Sequence, residues 1–499
     1  MNLPVTTTFK GCMSSAAKKS PESEPTLDPD DWSDFRVTSH RMLDDMLDYL
    51  EHLRERPVWQ PIPQAVRDQF HSALPESPQT LSEIHHQFMQ TILPYTVGNA
   101  HPGFMGWVHG GGTPVGMLAD MLASGINANL GGRDQIPIAV ERQILEWVRE
   151  LFGFPDTASG LFVTGTSMAN LISVWVARTA ALGPEVREQG MAAAEKTPLT
   201  AYASTGAHGS IAQALDLVGL GTASLRKVPV NDRFEMDLAQ LEDMIAKDIA
   251  SGFRPFMVIG TAGTVDVGAI DDLEGLSSIC QSKALWFHVD GAFGALGRLS
   301  SEIAPCLKGI ERADSIAFDF HKWGQVPYDA GFILIRDDAL HRQTFASPAA
   351  YLHRETRGVA AGSYWPCDYG PDLSRGFRAL KTWFTLKAYG TERLGSVIAH
   401  TCRLAHYLGS CIENLPELEL LAPVSLNIVC FRYRSSDANK ANRHIVTELH
   451  ESGLAVPSTT IIRDMLAIRV AIVNHRTRQS DIDQLLQAVL RIGAGLEKA

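Results

Sequence analysis

Apolar side chains recur along this chain with two different spacings, and the change from one to the other predicts its layout. From Asp31 onward, Met42, Leu43, Met46, Leu47, Leu50 and Leu53 return at helical spacing among charged residues, until Pro57, Pro61 and Pro63 break the pattern. This predicts an amphipathic helix followed by an extended arm, its apolar stripe covered either by its own domain or by a second subunit. Residues 1–30 are rich in Ser, Thr, Pro, Lys and Glu and nearly free of large apolar side chains. Such a segment cannot offset its ordering entropy by burial, so a disordered tail is expected.

Between about residues 100 and 385 the chain alternates helical patterns with the short apolar runs GLFVTGTS, LTAYAS, FMVIGTAG, LWFHVDGA, DSIAFDF and FILIRD. Unalternating runs separated by helix-length segments predict strands buried on both faces of a mainly parallel sheet, whose ligands gather at the carboxyl ends of the strands. After Gly390 come a helical stretch over about 391–413, apolar runs in SLNIVCFRY and LAIRVAIV, and a last helix beginning near Ser480. The expected division is a tail (1–30), an N-terminal helical arm (31–100), a large α/β domain (101–390) and a small C-terminal α+β domain (391–499). No internal repeat is present.

A length of 499 residues agrees with roughly three such units. Hydrophobic residues make up 45% and charged ones 20%, an ordinary globular balance. The net charge of -12 argues against broad attraction to nucleic acid or anionic membranes, so any anionic ligand must be held by a local set of donors. The seven cysteines are scattered, without a CxxC pair, which predicts a reducing compartment and no metal site. The first residues lack the apolar core of a signal peptide and no stretch reaches 18 uninterrupted apolar residues, so a cytoplasmic protein is expected.

The chemistry concentrates at two strand ends. FHVDGAFG carries Asp290 and DSIAFDFHKWG carries Lys322, 32 residues later. An aspartate beside a pyridine nitrogen keeps it protonated, and a lysine amine forms a Schiff base with the aldehyde of pyridoxal phosphate. GLFVTGTSMANL places Thr164, Gly165, Thr166 and Ser167 between a strand and a helix, where hydroxyls and free amides cradle a phosphate. In AYASTGAHGS, His208 follows a strand and is able to stack on a planar ring. Taken singly, each has an ordinary alternative: a surface lysine, a helix-capping aspartate, a capped turn, a structural histidine.

Together the blocks HPGFMGWV…MLADML, IPIAVERQ, TGTSMAN, ASTGAHGS, GTAGTVDVGAID, HVDGAFG, FHKWG and GFRALKTWFTLKAYG resemble, in order and approximate spacing, the pyridoxal-phosphate-dependent group II amino-acid decarboxylases. That family includes aromatic-amino-acid, histidine, glutamate and cysteine-sulfinate decarboxylases, and the resemblance runs from about residue 31 to the C-terminus. It implies an aspartate-aminotransferase-like fold with a seven-stranded-type sheet sandwiched by helices. It also implies decarboxylation of an L-amino acid to its amine, and a homodimer with the active site at the subunit interface. Carried over position by position, it makes Lys322 the Schiff-base lysine, Asp290 the partner of the pyridine nitrogen and His208 the stacking residue. Thr166, Ser167 and His321 match phosphate contacts, and Thr264 and Asp271 match residues lining the cofactor. Ser374 falls where the neighbouring subunit approaches the phosphate. Tyr351, 29 residues after the lysine, matches the loop tyrosine that returns a proton to the substrate carbon and favours simple decarboxylation over aldehyde formation.

The pocket departs from the family pattern. Asp319 stands where many members have asparagine before the lysine. Trp107, Val108 and His109, followed by Gly110–Gly112, replace aromatic or proline positions of the aromatic branch. NANLGGRDQIP brings Asn129, Gly131 and Arg133 to a segment expected to reach the other subunit. A guanidinium binds carboxylates bidentately, so Arg133 suggests a polar or acidic substrate, unless it simply pairs with Asp134 or another carboxylate. Arg469 is a further candidate for the substrate carboxylate. Two other readings are an aldehyde synthase or carbon–carbon lyase on the same cofactor, and a non-catalytic cofactor-binding protein.

Overall fold

The computed structural model describes residues 25–191, 197–347, 354–362 and 364–496. The expected tail lies almost wholly outside these residues, as does Tyr351. In chain order the strands are β1 (Phe104–Met105), β2 (Ser159–Val163), β3 (Leu199–Ser204), β4 (Leu225–Val228), β5 (Arg254–Thr261), β6 (Trp286–Asp290), β7 (Ser315–Asp319), β8 (Gly331–Ile335), β9 (Leu418–Leu420), β10 (Ile428–Tyr433), β11 (Val456–Ile462) and β12 (Met465–Ala471). β2 to β8 form one seven-stranded sheet in the order β2-β8-β7-β6-β5-β3-β4. All neighbours are parallel except β8, which runs antiparallel to both β2 and β7.

Each of the six apolar runs is a strand of this sheet, and burial on both faces explains why they do not alternate with polar residues. Along β5, Met257 and Ile259 join a core beneath the helices Thr166–Leu182 and Ser210–Leu217. Val258, between them, faces the opposite core, which the helices Ile136–Phe152, Leu238–Ala250 and Leu273–Lys283 complete. The seventh strand, β4, is the sheet edge; its sequence LRKV has a single buried residue and therefore no apolar run to read.

The second sheet has the order β1-β11-β12-β10-β9 and carries the helices Ala438–Glu451 and Gln479–Leu496 on its core. Its edge strand β1 arrives from the N-terminal side of the chain and pairs in parallel with β11, so Phe104 and Met105 belong to this sheet rather than to the large one. The helical element Arg378–Glu413 joins the two layers and breaks at Gly390, whose φ of +69° lies where only glycine sits without strain.

Near the N-terminus, the helix Trp32–Glu51 is capped by Asp31, which accepts the backbone N–H of Ser33 and Asp34. It packs on the helix Leu81–Gln87, yet none of its own residues is buried in the single chain. Among the described residues, no helix is long and apolar enough to cross a membrane.

Candidate active site

The carboxyl ends of β2, β5, β6 and β7 converge on a cavity of about 390 Å³. Thr164 to Ser167 reach it from the turn after β2, His208 from the turn after β3, Asp290 from β6, and Asp319, His321 and Lys322 from β7 and its following turn. Trp107, Val108 and His109 close it from the loop after β1. A larger cavity of about 1010 Å³, at the opposite strand ends, mixes Arg142, Arg149 and Arg336 with Asp314 and Asp337 and contains none of those residues.

The first helix turn after β2 presents amides that have no carbonyl partner in their own helix. Beside them the Thr166 hydroxyl oxygen is buried with no hydrogen-bond partner among the described residues. Across the cavity, Lys322 Nζ lies 2.8 Å from Asp319 Oδ2, while His321 Nε2 lies 3.5 Å from the same oxygen. The other Asp319 oxygen is buried without a partner among the described residues. His321 Nδ1 accepts the Ala330 N–H at 3.0 Å, and its ring lies 4.3 Å from that of Tyr328. Burial holds His321 below the usual histidine range; burial and then the Lys322 charge do the same to His109. The glycine run has a steric reason, because a Cβ at Gly110 would stand 2.2 Å from the His321 carbonyl oxygen.

Asp290 is enclosed at the end of β6. Its Oδ2 accepts an amide hydrogen of Asn170 at 3.0 Å and its Oδ1 the Ala292 N–H at 3.2 Å. Burial pushes its carboxyl up; the Asn170 amide, the charges of Lys322 and His208, and the Ala292 N–H pull it back. Sequence reasoning missed Asn170. Its place four residues after Thr166, one turn along the same helix face, is a weak signal, since Ser173, Arg178 and Thr179 are further polar residues on that helix.

Other candidates lie elsewhere. Thr264 is buried between the lining residues Gly263 and Val265, its hydroxyl accepting the Ala269 N–H at 3.1 Å. Asp271 braces the end of β5, accepting the N–H of Thr261 and of Met236 at 2.7 Å each, with burial raising its carboxyl to about 6. Arg469 is buried and does not line the cavity; it donates to the carbonyls of the lining residues Trp107 and Val265 and to Ser458 Oγ. Asn129, Arg133 and Ser374 form a separate cluster at the surface. Asn129 Oδ1 accepts the N–H of Gly131 and of Arg375, and the Arg133 guanidinium stacks on Trp365 at 4.6 Å. Ser374, beside Arg375, is exposed.

An unpartnered buried hydroxyl at a helix N-terminus, a lysine at the mouth and an enclosed carboxylate opposite suit a ligand carrying a phosphate, an aldehyde and a basic ring nitrogen. Residues 63–434 match the pyridoxal-dependent decarboxylase conserved domain. The chain is 32% identical over 479 residues to an aromatic-L-amino-acid decarboxylase of Bacillus atrophaeus, covering 93% of this chain and 96% of that one. It is 30% identical to a histidine decarboxylase of Rattus norvegicus, over 91% of this chain and 70% of that one. The solved structure of Oryza sativa TDC with PLP and tryptamine superposes with a TM-score of 0.87 at 23% identity, over 94% of this chain and 100% of that one. The chain belongs to the pyridoxal-dependent decarboxylase family and is a pyridoxal-phosphate-dependent carboxy-lyase.

Proposed function

We propose that this protein decarboxylates an L-amino acid with a planar side chain, using Lys322 as the amine that attaches the cofactor's aldehyde. The observation that carries the reading is the gathering of Lys322, Asp290, His208 and the Thr164–Ser167 turn around one cavity. Bound there, pyridoxal phosphate supplies an electron sink for the pair left when the bond from Cα to the carboxylate breaks. Thr166, Ser167 and His321 hold its phosphate, His208 stacks on the ring, and Asp290 keeps a proton on the ring nitrogen. Lys322 Nζ yields its place to the substrate amine and takes it back at product release. Tyr351 returns a proton to the substrate carbon after carbon dioxide leaves. Thr264 and Asp271 hold the wall behind these groups rather than touching the cofactor.

A planar side chain suits the ring faces at the cavity mouth: Trp107 and His109 stack on each other at 5.8 Å and both stack on Phe104. Among the relatives, the names specify aromatic amino acids and histidine. Release of carbon dioxide from aromatic amino acids, histidine, aspartate, glutamate and cysteine sulfinate, measured with the cofactor-loaded protein, tests it. Turnover of aromatic substrates or histidine is expected; turnover confined to the acidic ones overturns the planar side chain and returns weight to Arg133.

The same proposal includes a homodimer. Asn129, Arg133 and Ser374 cluster away from the cavity of their own chain, which supports a role at a neighbouring subunit's site. Co-expressing Lys322→Ala and Arg133→Ala chains, each of low activity alone, then gives mixed dimers with one intact site. Activity no greater than the sum of the separate variants counts against the shared site.

A further inference from the structure

Behind Asp290 runs a line of polar groups, from Trp286 through the buried Ser315, His288 and Asn170, that reaches His208. The Trp286 indole N–H donates to Ser315 Oγ at 2.8 Å, and Ser315 Oγ lies 2.8 Å from His288 Nδ1. Ser173 Oγ stands 3.0 Å from the same ring nitrogen. On the far side His288 Nε2 lies 2.9 Å from Asn170 Oδ1, and Asn170 Nδ2 reaches Asp290 Oδ2 at 3.0 Å and Ser210 Oγ at 3.1 Å. Ser210 Oγ is in turn 2.8 Å from His208 Nδ1. His288, Asn170, Ser173 and Ser315 have no exposed surface.

The protons along this line are assigned by its partners. An ionised Asp290 only accepts, so Asn170 must turn its NH2 toward it and its carbonyl toward His288. His288 then carries its proton on Nε2 and accepts at Nδ1 from one of the two serine hydroxyls, which are 2.7 Å from each other, a neutral form that burial favours by pushing its pKa down to about 3. At the other end the Ser210 backbone N–H points at His208 Nδ1 at 3.2 Å and can only donate, so a neutral His208 carries its proton on Nε2. The flipped amide would set the Asn170 carbonyl against the Asp290 carboxylate and reverse the tautomer of His288. One amide orientation therefore decides the donors on the ring-nitrogen side and on the stacking side together.

We propose that Asn170, locked in one orientation by His288, is a positioning residue that aims one N–H at Asp290 and another, through Ser210, toward His208, and so sets where protons sit around the cofactor ring. The inference rests on Asp290 being the partner of the ring nitrogen. Four bonds in series, through residues up to 120 positions apart in sequence, hold that orientation. Simple core packing has no need of polar groups with this directionality, because unsatisfied ones are costly.

The test uses the full chain loaded with pyridoxal phosphate labelled with 15N in its ring, whose nitrogen shift reports ring protonation directly. Asn170→Leu and His288→Leu remove the donor or its lock; His288→Gln keeps a donor near the Nε2 position. Circular dichroism and thermal melting of each variant establish that it is folded. Ring protonation is expected to drop in both leucine variants, with kcat falling about ten- to a hundredfold, the usual cost of removing a partner that orients a reactive group. KM should change little, and His288→Gln should restore the signal. Asp290→Asn separates the two levels. If it shifts the ring signal and folded Asn170→Leu does not, Asn170 has no positioning role. If Asp290→Asn itself leaves the signal unmoved, the assignment of Asp290 fails and the inference with it.

Discussion

β6 and β7 each end in a buried aspartate within electrostatic reach of Lys322, and the two carboxylates are supported in opposite ways. Asp290 has a neutral partner on each oxygen, the Asn170 amide and the Ala292 N–H. Asp319 has charge instead: its Oδ2 takes the Lys322 ammonium at 2.8 Å while its Oδ1 has no partner among the described residues. Neither donor to Asp290 carries a charge that a ligand would have to displace. If Lys322 is the amine that attaches the cofactor, as proposed, it must leave Asp319 to react. A buried ion pair that has to be broken during loading opposes loading.

The largest effects fall on the groups that make this difference matter. Lys322→Ala should abolish covalent attachment of the cofactor: borohydride treatment followed by mass spectrometry should find the wild-type chain labelled and the variant unlabelled. A variant labelled at another lysine would move the reactive amine away from both aspartates. Next comes Asp290→Ala, expected to lower kcat about a hundred- to a thousandfold, the scale on which one preorganised charge contributes to a transition state. If Asp319→Ala lowers kcat as much while Asp290→Ala does not, the roles of the two strand ends are exchanged.

Asp319→Asn acts in the other direction and more weakly. Removing the carboxylate frees the Lys322 amine and takes an anion away from a site that receives a phosphate. Cofactor binding should tighten, read as a lower Kd in fluorescence titration. Weaker binding would mean that Asp319 itself helps hold the cofactor, and would remove the contrast with Asp290.

The same contrast explains how much was readable beforehand. The strand ends carrying Asp290 and Lys322 are visible in sequence because strands buried on both faces leave uninterrupted apolar runs, and a charged residue closing such a run stands out. β4 and β1 have no such run: one is a polar edge, the other a two-residue pairing that exists only because β11 lies beside it. Asn170 and His288 were silent for a related reason. Their meaning is a contact between a helix and a strand 118 residues apart, and neither has a distinctive local pattern. Arg469 differs in the opposite sense. An arginine in a strand near the expected site suggests a substrate carboxylate, yet the carbonyls of Trp107 and Val265 already occupy its donors.

The smallest expected effect probes whether the support behind Asp290 is truly uncharged. His288 has a folded pKa of about 3 against an unfolded value of about 6.5. A depressed histidine pKa contributes stability that is present above the unfolded value and is lost as the pH falls toward the folded one, because the unfolded chain binds the proton first. In the cofactor-free protein His288 should therefore add one proton's worth of slope, about 1.4 kcal/mol per pH unit, to the loss of stability between about pH 6.5 and 3. His341, also buried and also held at about 3, adds a similar slope, while Asp271, raised to about 6, works against it by binding its proton earlier in the folded state. The wild-type curve alone thus mixes several groups. Subtracting the curve of His288→Gln, which keeps a donor and has no titration there, isolates one proton. A difference slope near zero from denaturant unfolding at stepped pH would mean that His288 is charged in the fold, and with a cation behind Asn170 the β6 aspartate would depend on charge as the β7 aspartate does.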